Sequence, residues 1–170
     1  YAKGASVLQQ LVAHVGRENF IAALRNYFAK HAFKNTTLDD LLVELEASSG
    51  RDLKPWVATW LQTAGVNTLR PEIEVDNNQY TKVNVVQEAP KIPSGSTELR
   101  PHRLAVGIYD TKGDKLIRRE SVELDISGTT TSVEGLIGEQ LGDLLLINDK
   151  DMSYAKVRLD ERSISTLKTH

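Results

Sequence analysis

Along the first third of the chain apolar residues return every three or four positions, and beyond it they alternate with polar ones. Val7, Leu8, Leu11, Val12 and Val15 form one stripe that runs to Gly16, and Phe20, Ala23, Leu24, Tyr27 and Phe28 form a second. Such steps put side chains on one face of an α-helix, so two amphipathic helices are predicted. A third helix carries its own start and stop signals. Thr36 or Thr37 can cap it, Asp39 and Asp40 complement the positive end of its dipole, Leu38, Leu41, Leu42 and Leu45 supply its apolar face, and Ser48-Ser49-Gly50 ends it. Asp52 can cap a fourth, where Pro55 is tolerated because its missing N–H would be unpaired in the first turn anyway. Trp56, Val57, Trp60 and Leu61 give that helix its apolar face, and Gly65 is a natural left-handed stop.

Past Arg70-Pro71 the period falls to two. Strands are predicted over 72–76, 80–87, 103–110, 115–125, 130–136, 143–148 and 155–159, separated by turn signals at Asn77-Asn78, Lys112-Gly113, Ser127-Gly128 and Asp149-Lys150-Asp151. Seven short strands at regular spacing with no helix between them predict a β-sandwich. The fold class is therefore α+β by segments: an N-terminal helical segment of about four helices, then a seven-stranded antiparallel β-sandwich. Residues 89–101, with Pro90, Pro93, Gly95 and Pro101, read as one long surface loop. Leu144-Leu145-Leu146-Ile147 is apolar at consecutive positions, which places that strand centrally in its sheet.

Composition sharpens the division at residue 69. Residues 1–69 hold 10 of the 13 alanines and both tryptophans, whereas 70–170 hold 24 Val, Ile and Thr, the residue types that favour a pleated surface. The whole chain has 170 residues, 21 Lys and Arg against 23 Asp and Glu, and a net charge of −2. That balance argues against nucleic acid and anionic membrane as partners. The absence of cysteine removes thiol nucleophiles, cysteine-ligated metals and disulfides.

Candidate chemistry is sparse. His14, His31, His102 and His170 include no pair at the i, i+4 spacing that sets two imidazoles on one helical face, so they read as surface or locally bonded side chains. No HExxH, GxSxG or phosphate-cradling glycine loop occurs. Asp39/Asp40 read as a helix start and Asp149/Asp151 as a turn. Trp56 and Trp60 at i, i+4 read as core, and Arg118-Arg119 as a solvated sheet face. On the residues alone, no metal-binding or cofactor-binding residue is assigned.

The chain opens Tyr1-Ala2-Lys3-Gly4-Ala5-Ser6-Val7-Leu8, without an initiator Met or a helix cap, and reads as a piece of a larger protein. That opening resembles the Tyr-x-Lys-Gly-Ala motif of zinc metallo-aminopeptidases of the aminopeptidase N (gluzincin) family. Phe20, Leu24, Arg25 and Tyr27 are similar to the family's Phe-x-x-x-Leu-Arg-x-Tyr, and Asn35, Asp39, Ser49-Gly50, Asp52-Leu53, Trp56, Trp60 and Gly65 follow in family order. Val66-Asn67 departs from it where many members carry a proline. Further on, the stretches 100–110 and Asn148-Asp149 resemble the actinobacterial branch.

The resemblance implies a hydrolase that removes N-terminal amino acids from peptides, with zinc as the parent enzyme's cofactor and peptides and the remaining domains of the same chain as partners. It implies that residues 1–69 are the C-terminal helical part of a thermolysin-like catalytic domain and 70–170 the linking β-sandwich. The family's zinc ligands lie upstream of the matching stretch, so no metal ligand and no zinc is expected in this fragment. Tyr1 alone carries over as a catalytic residue, the donor of a phenolic O–H to the oxyanion of the tetrahedral intermediate beside the zinc. The isolated fragment is expected to be inactive, and a bacterial cytoplasmic location is expected. The competing reading is a non-enzymatic binding module in which a helical adaptor presents an Ig-like sandwich through loop 89–101.

Overall fold

The computed structural model of the chain describes residues 2–169. It divides into two compact units, Tyr1–Thr63 and Ala64–His170.

The first unit holds four helices, α1 (Ala2–Val15), α2 (Arg17–His31), α3 (Leu38–Ser49) and α4 (Lys54–Leu61). Gly16, at φ +87°, separates the first two, and Gly50 closes α3 in the left-handed conformation with its N–H on the Glu46 carbonyl. Thr37 is the N-cap of α3. Its hydroxyl accepts from the Asp40 N–H while the Asp40 carboxylate accepts from the Thr37 N–H, a reciprocal box that holds the Asp40 pKa below its ordinary value. At α4 the N-cap position falls on Leu53, which makes no side-chain cap bond. Asp52 acts from one residue earlier, accepting the Lys54 N–H at 3.0 Å.

The core of this unit is Val7, Leu11, Val15, Ala23, Leu45, Leu53, Trp56 and Trp60, all buried. The predicted stripes are wider than that core. Leu8 is 52% exposed, Phe28 64% and Leu38 47%, so each of the first three helices keeps part of its apolar face uncovered by this unit.

The second unit has seven strands: β1 (Thr68–Asp76), β2 (Gln79–Glu88), β3 (His102–Lys112), β4 (Lys115–Ile126), β5 (Thr130–Ser132), β6 (Leu144–Asp149) and β7 (Lys156–Val157). They form a four-stranded sheet in the order β5-β2-β1-β7 and a three-stranded sheet in the order β4-β3-β6. One hydrophobic cluster takes Leu69, Tyr80, Val83 and Val85 from the first sheet and Leu104, Val106, Ile108, Leu145 and Ile147 from the second, which makes the pair a sandwich. Pairing is antiparallel except for β7, which joins β1 in parallel through Thr68↔Lys156 and Leu69↔Val157.

Three features differ from the sequence pattern. The strand predicted over 130–136 stops at Ser132, and Glu134–Leu136 coils into a 3₁₀ turn that buries Leu136. The strand 144–149 lies at a sheet edge, not centrally. A fifth helix, α5 (Glu161–Thr169), explains the second point, because it covers that edge. The buried Ser163 hydroxyl accepts the outward Leu145 N–H at 3.0 Å, Thr166 donates to the Asp143 carbonyl at 2.7 Å, and Arg162 binds the Gly142 carbonyl and the Asp143 carboxylate. An edge strand with its backbone so occupied can be apolar on both faces without templating another chain. Ser163→Ala leaves the Leu145 N–H buried without this acceptor and is expected to cost about 1–2 kcal/mol. Loss of hydrogen-exchange protection at the Leu145 amide, read beside urea unfolding, checks it.

The 89–101 loop is also less superficial than its composition suggests. Pro90 is buried and Arg100 is 2% exposed, its guanidinium donating to the Asn67 side-chain oxygen at 2.8 Å and the Ala64 carbonyl at 3.0 Å. Asn67 in turn donates to the Glu88 and Glu98 carbonyls, so both ends of the loop are fastened to the start of β1.

Candidate functional site

Tyr1, the sequence-predicted catalytic residue, lies outside the described residues, as does His170. The structure describes the support next to Tyr1. Helix α1 begins at Ala2 and is fixed by its buried Val7, Leu11 and Val15, while the Lys3 ammonium reaches the Thr63 carbonyl at 3.4 Å. Lys3, Gly4 and Leu8 border an open apolar groove of about 350 Å³ whose far side includes Leu41, Trp60 and Leu61. Nothing lies within 4 Å of where a Cβ on Gly4 would stand. Among the described residues Lys3 is the groove's one charged side chain, so its chemistry is that of an apolar docking face and not of proton transfer.

The other sequence candidates separate cleanly. His14 stacks beside Trp56 at 6.5 Å and faces Arg51 at 3.4 Å, and His31 lies 5.4 Å from the Tyr27 ring. Trp56 and Trp60 are core, stacked on each other at 6.1 Å, and the Trp56 indole N–H is buried with no acceptor among the described residues. Asp40 serves the α3 cap. A register shift between Ile108 and Tyr109 makes Arg119 the extra residue on β4, so Arg118 and Arg119 reach different carboxylates, Asp149 and Asp110. Among the described residues no three His, Cys, Asp or Glu side chains gather where they could hold a metal ion, and no helix is long and apolar enough to cross a membrane.

Two buried polar groups escaped the sequence reading. The Asp149 carboxylate is not simply part of a turn: its side chain is 4% exposed on the outer face of the three-stranded sheet. It accepts from the Tyr109 hydroxyl at 2.5 Å, Arg118 at 3.0 Å and Ser121 at 3.1 Å. Burial acts to raise its pKa, but those three donors prevail and hold it below the ordinary value. Gly107 is what admits the carboxylate, since a Cβ there would stand 2.9 Å from Asp149 Oδ2. The second group is His102, 2% exposed, with Nδ1 2.5 Å from the Ser153 hydroxyl and Nε2 2.9 Å from the Gln87 side-chain oxygen. Gln87 donates its own amide to the Gly128 carbonyl, so its oxygen faces the ring and accepts from Nε2–H. Burial first, and the Arg100 charge second, push the His102 pKa down to about 3. Both groups are locked by neighbours, which makes them fixtures of the sandwich.

Comparison with known proteins adds what the geometry leaves open. The family described as "Peptidase family M1 domain" matches residues 1–87. The chain is similar over its whole length to Aminopeptidase N of Streptomyces lividans, 54% identical over 175 residues, which are 20% of that protein. It is 34% identical to a leucyl aminopeptidase of Saccharolobus solfataricus over 129 residues, 72% of this chain and 16% of the relative. Among solved structures, an aminopeptidase A of Legionella pneumophila in complex with aspartic acid superposes with a TM-score of 0.70 at 18% identity, over 98% of this chain and 19% of that one. The chain thus spans about a sixth to a fifth of the length of these proteins, and its fold is found inside the solved aminopeptidase A structure.

Proposed function

We propose, from the premise that this chain belongs to peptidase family M1, that it is a segment of a zinc-dependent aminopeptidase that removes N-terminal amino acids from peptides. The observation that carries the proposal is the family match over residues 1–87, which spans the Tyr1-Ala2-Lys3-Gly4-Ala5 motif and the ordered landmarks through Gly65. The full-length similarity to a Streptomyces aminopeptidase N supports a bacterial, actinobacterial parent. The same match favours a peptidase over a binding module with a helical adaptor.

In this reading residues 1–69 close the catalytic domain and residues 70–170 form the sandwich that links it to the next domain of the parent. Tyr1 is the oxyanion donor, and the helix that begins at the next residue is fixed by its buried Val7, Leu11 and Val15. A neutral phenol aimed at charge that develops only in the transition state stabilises that state without tightening ground-state binding. The described residues do not fit a zinc site, since no three ligand-type side chains gather among them. In this reading the zinc ligands belong to the rest of the parent chain, and the parent works in the cytoplasm.

The test compares the parent enzyme with the isolated 170-residue chain. Dialysed against trace zinc and assayed on an aminoacyl-arylamide, the parent is expected to retain zinc and turn over, and the isolated chain to do neither. Stoichiometric zinc with hydrolysis in the isolated chain would overturn the assignment of the ligands to the missing part.

A further inference from the structure

We infer that the sandwich unit carries a docking groove for an acidic peptide segment, built where strand β7 meets the loop after β2. The groove has a volume of about 590 Å³ and is lined by Lys91, Ile92 and Pro93 from the loop, by Gly65 from the segment entering β1, and by Lys156 and Arg158 from β7 and the residue after it. Among the described residues no carboxylate lines it.

Its shape is set by the backbone. The Lys156 N–H binds the Asn67 carbonyl at 2.9 Å and the Arg158 N–H binds the Leu69 carbonyl at 2.8 Å, which ties β7 to β1. Side chains alternate along a strand, so Val157 packs against the hydrophobic cluster while Lys156 and Arg158 share the opposite face. The facing wall is fixed by Gly65, at φ +92°. A Cβ there would stand 2.5 Å from the Ile92 carbonyl, so the loop can lie this close only against glycine.

The charges in the groove are unbalanced. Among the described residues, Lys91, Lys156 and Arg158 take part in no ion pair, whereas Arg70, Lys82, Arg103, Arg118, Arg119 and Arg162 of the same unit each sit within reach of a carboxylate. Three uncompensated cations around one concavity raise the local potential for an anion, and the guanidinium can take a carboxylate in bidentate fashion. Two further features favour a peptide over a small free anion. Ile92 is 82% exposed beside the cations, an apolar contact that a hydrated anion cannot use. Strand β7 also stands at the end of the sheet order, where an extended chain can add backbone hydrogen bonds.

The probe is a labelled peptide alternating Glu and Leu, titrated into the 170-residue chain by anisotropy, with amide chemical shifts recorded in parallel. Binding is expected at about 50 mM salt and is expected to weaken at least about tenfold by about 300 mM. Amide shift changes are expected at residues 64–68, 91–92 and 156–158. The exposed double variant Lys156→Glu, Arg158→Glu should weaken binding at least about tenfold, while the double variant Lys112→Glu, Lys115→Glu, with the same change of charge at the end of β3 and the start of β4, should leave it unchanged. Equal loss in both variants would reduce the effect to net charge and overturn the groove. Absence of shifts at those amides would do the same. Pyrophosphate binding as tightly as the peptide would overturn the peptide assignment. The inference is independent of Tyr1, because every readout is binding to the sandwich unit.

Discussion

Tyr1→Phe in the parent aminopeptidase is expected to lower kcat by about 10²–10³-fold and to change KM little, because removing one preorganised oxyanion donor typically costs that much. The substitution deletes a single oxygen from the residue that precedes α1 in the sequence, and the helix itself is held by Val7, Leu11 and Val15, all buried. Thermal unfolding of the variant should therefore match the wild type. The oxyanion exists only in the transition state, so the ground-state complex has little to lose and the effect appears in kcat and kcat/KM together. Activity within about twofold of wild type would remove Tyr1 from the mechanism, and a raised KM at constant kcat would make it a substrate-binding residue instead.

The fold was largely legible in the sequence because both halves obey a clean period. The four helices of the first unit coincide with the apolar stripes, and the Thr37 and Gly50 signals mark the ends of α3 within the residues that carry them. Helix α5 was not legible. Its sequence Glu161-Arg162-Ser163-Ile164-Ser165-Thr166-Leu167-Lys168-Thr169 has two large apolar residues, and its inward face is made of Ser163, Thr166 and Arg162 bonded to a strand edge. The available signal was Asp160, whose carboxylate accepts the Ser163 N–H at 3.0 Å, followed by an acidic first turn and Ile164 and Leu167 three apart. Missing α5 also misplaced β6, since an apolar four-residue run cannot say whether a second strand or a helix covers its edge.

Of the candidate site, the sequence carried a motif and little else. Tyr1 is recognisable only through its neighbours Lys3, Gly4 and Ala5, and no pattern of period or spacing identifies an oxyanion donor. The buried polar groups were hidden for a different reason, namely that their partners are remote in the chain. Asp149 meets Tyr109 across 40 residues and His102 meets Ser153 across 51, and such pairs become neighbours only when a sheet brings them together. Gly107 was the subtle clue on β3: a glycine within a strand otherwise rich in β-branched and large residues marks a close approach, here by a carboxylate.

Acid is expected to weaken the sandwich through His102 in a window that opens well above the one where carboxylates titrate. The ring is buried between the Gln87 side chain and the Ser153 hydroxyl, with the Arg100 charge nearby, and its pKa falls from 6.5 to about 3. In the folded state the imidazole stays neutral between those values, while in the unfolded chain it takes up a proton. The unfolded state then binds more protons, so stability rises with pH across the window and is lost as pH falls from about 6.5 toward 3. The loss amounts to about 2 kcal/mol at pH 5 and about 3 kcal/mol at pH 4 relative to pH 7. Asp149, Asp143 and Asp40 have lowered pKa values and add their own losses only at the acid end. Urea unfolding at pH 7 and pH 5 isolates the His102 part. The wild-type difference should be about 2 kcal/mol and should shrink to under about 0.5 kcal/mol in His102→Asn, whatever that variant's absolute stability. An imidazole resonance of His102 that titrates near 6.5 in the folded protein would sink the account, because a ring charged in both states carries no linkage to unfolding.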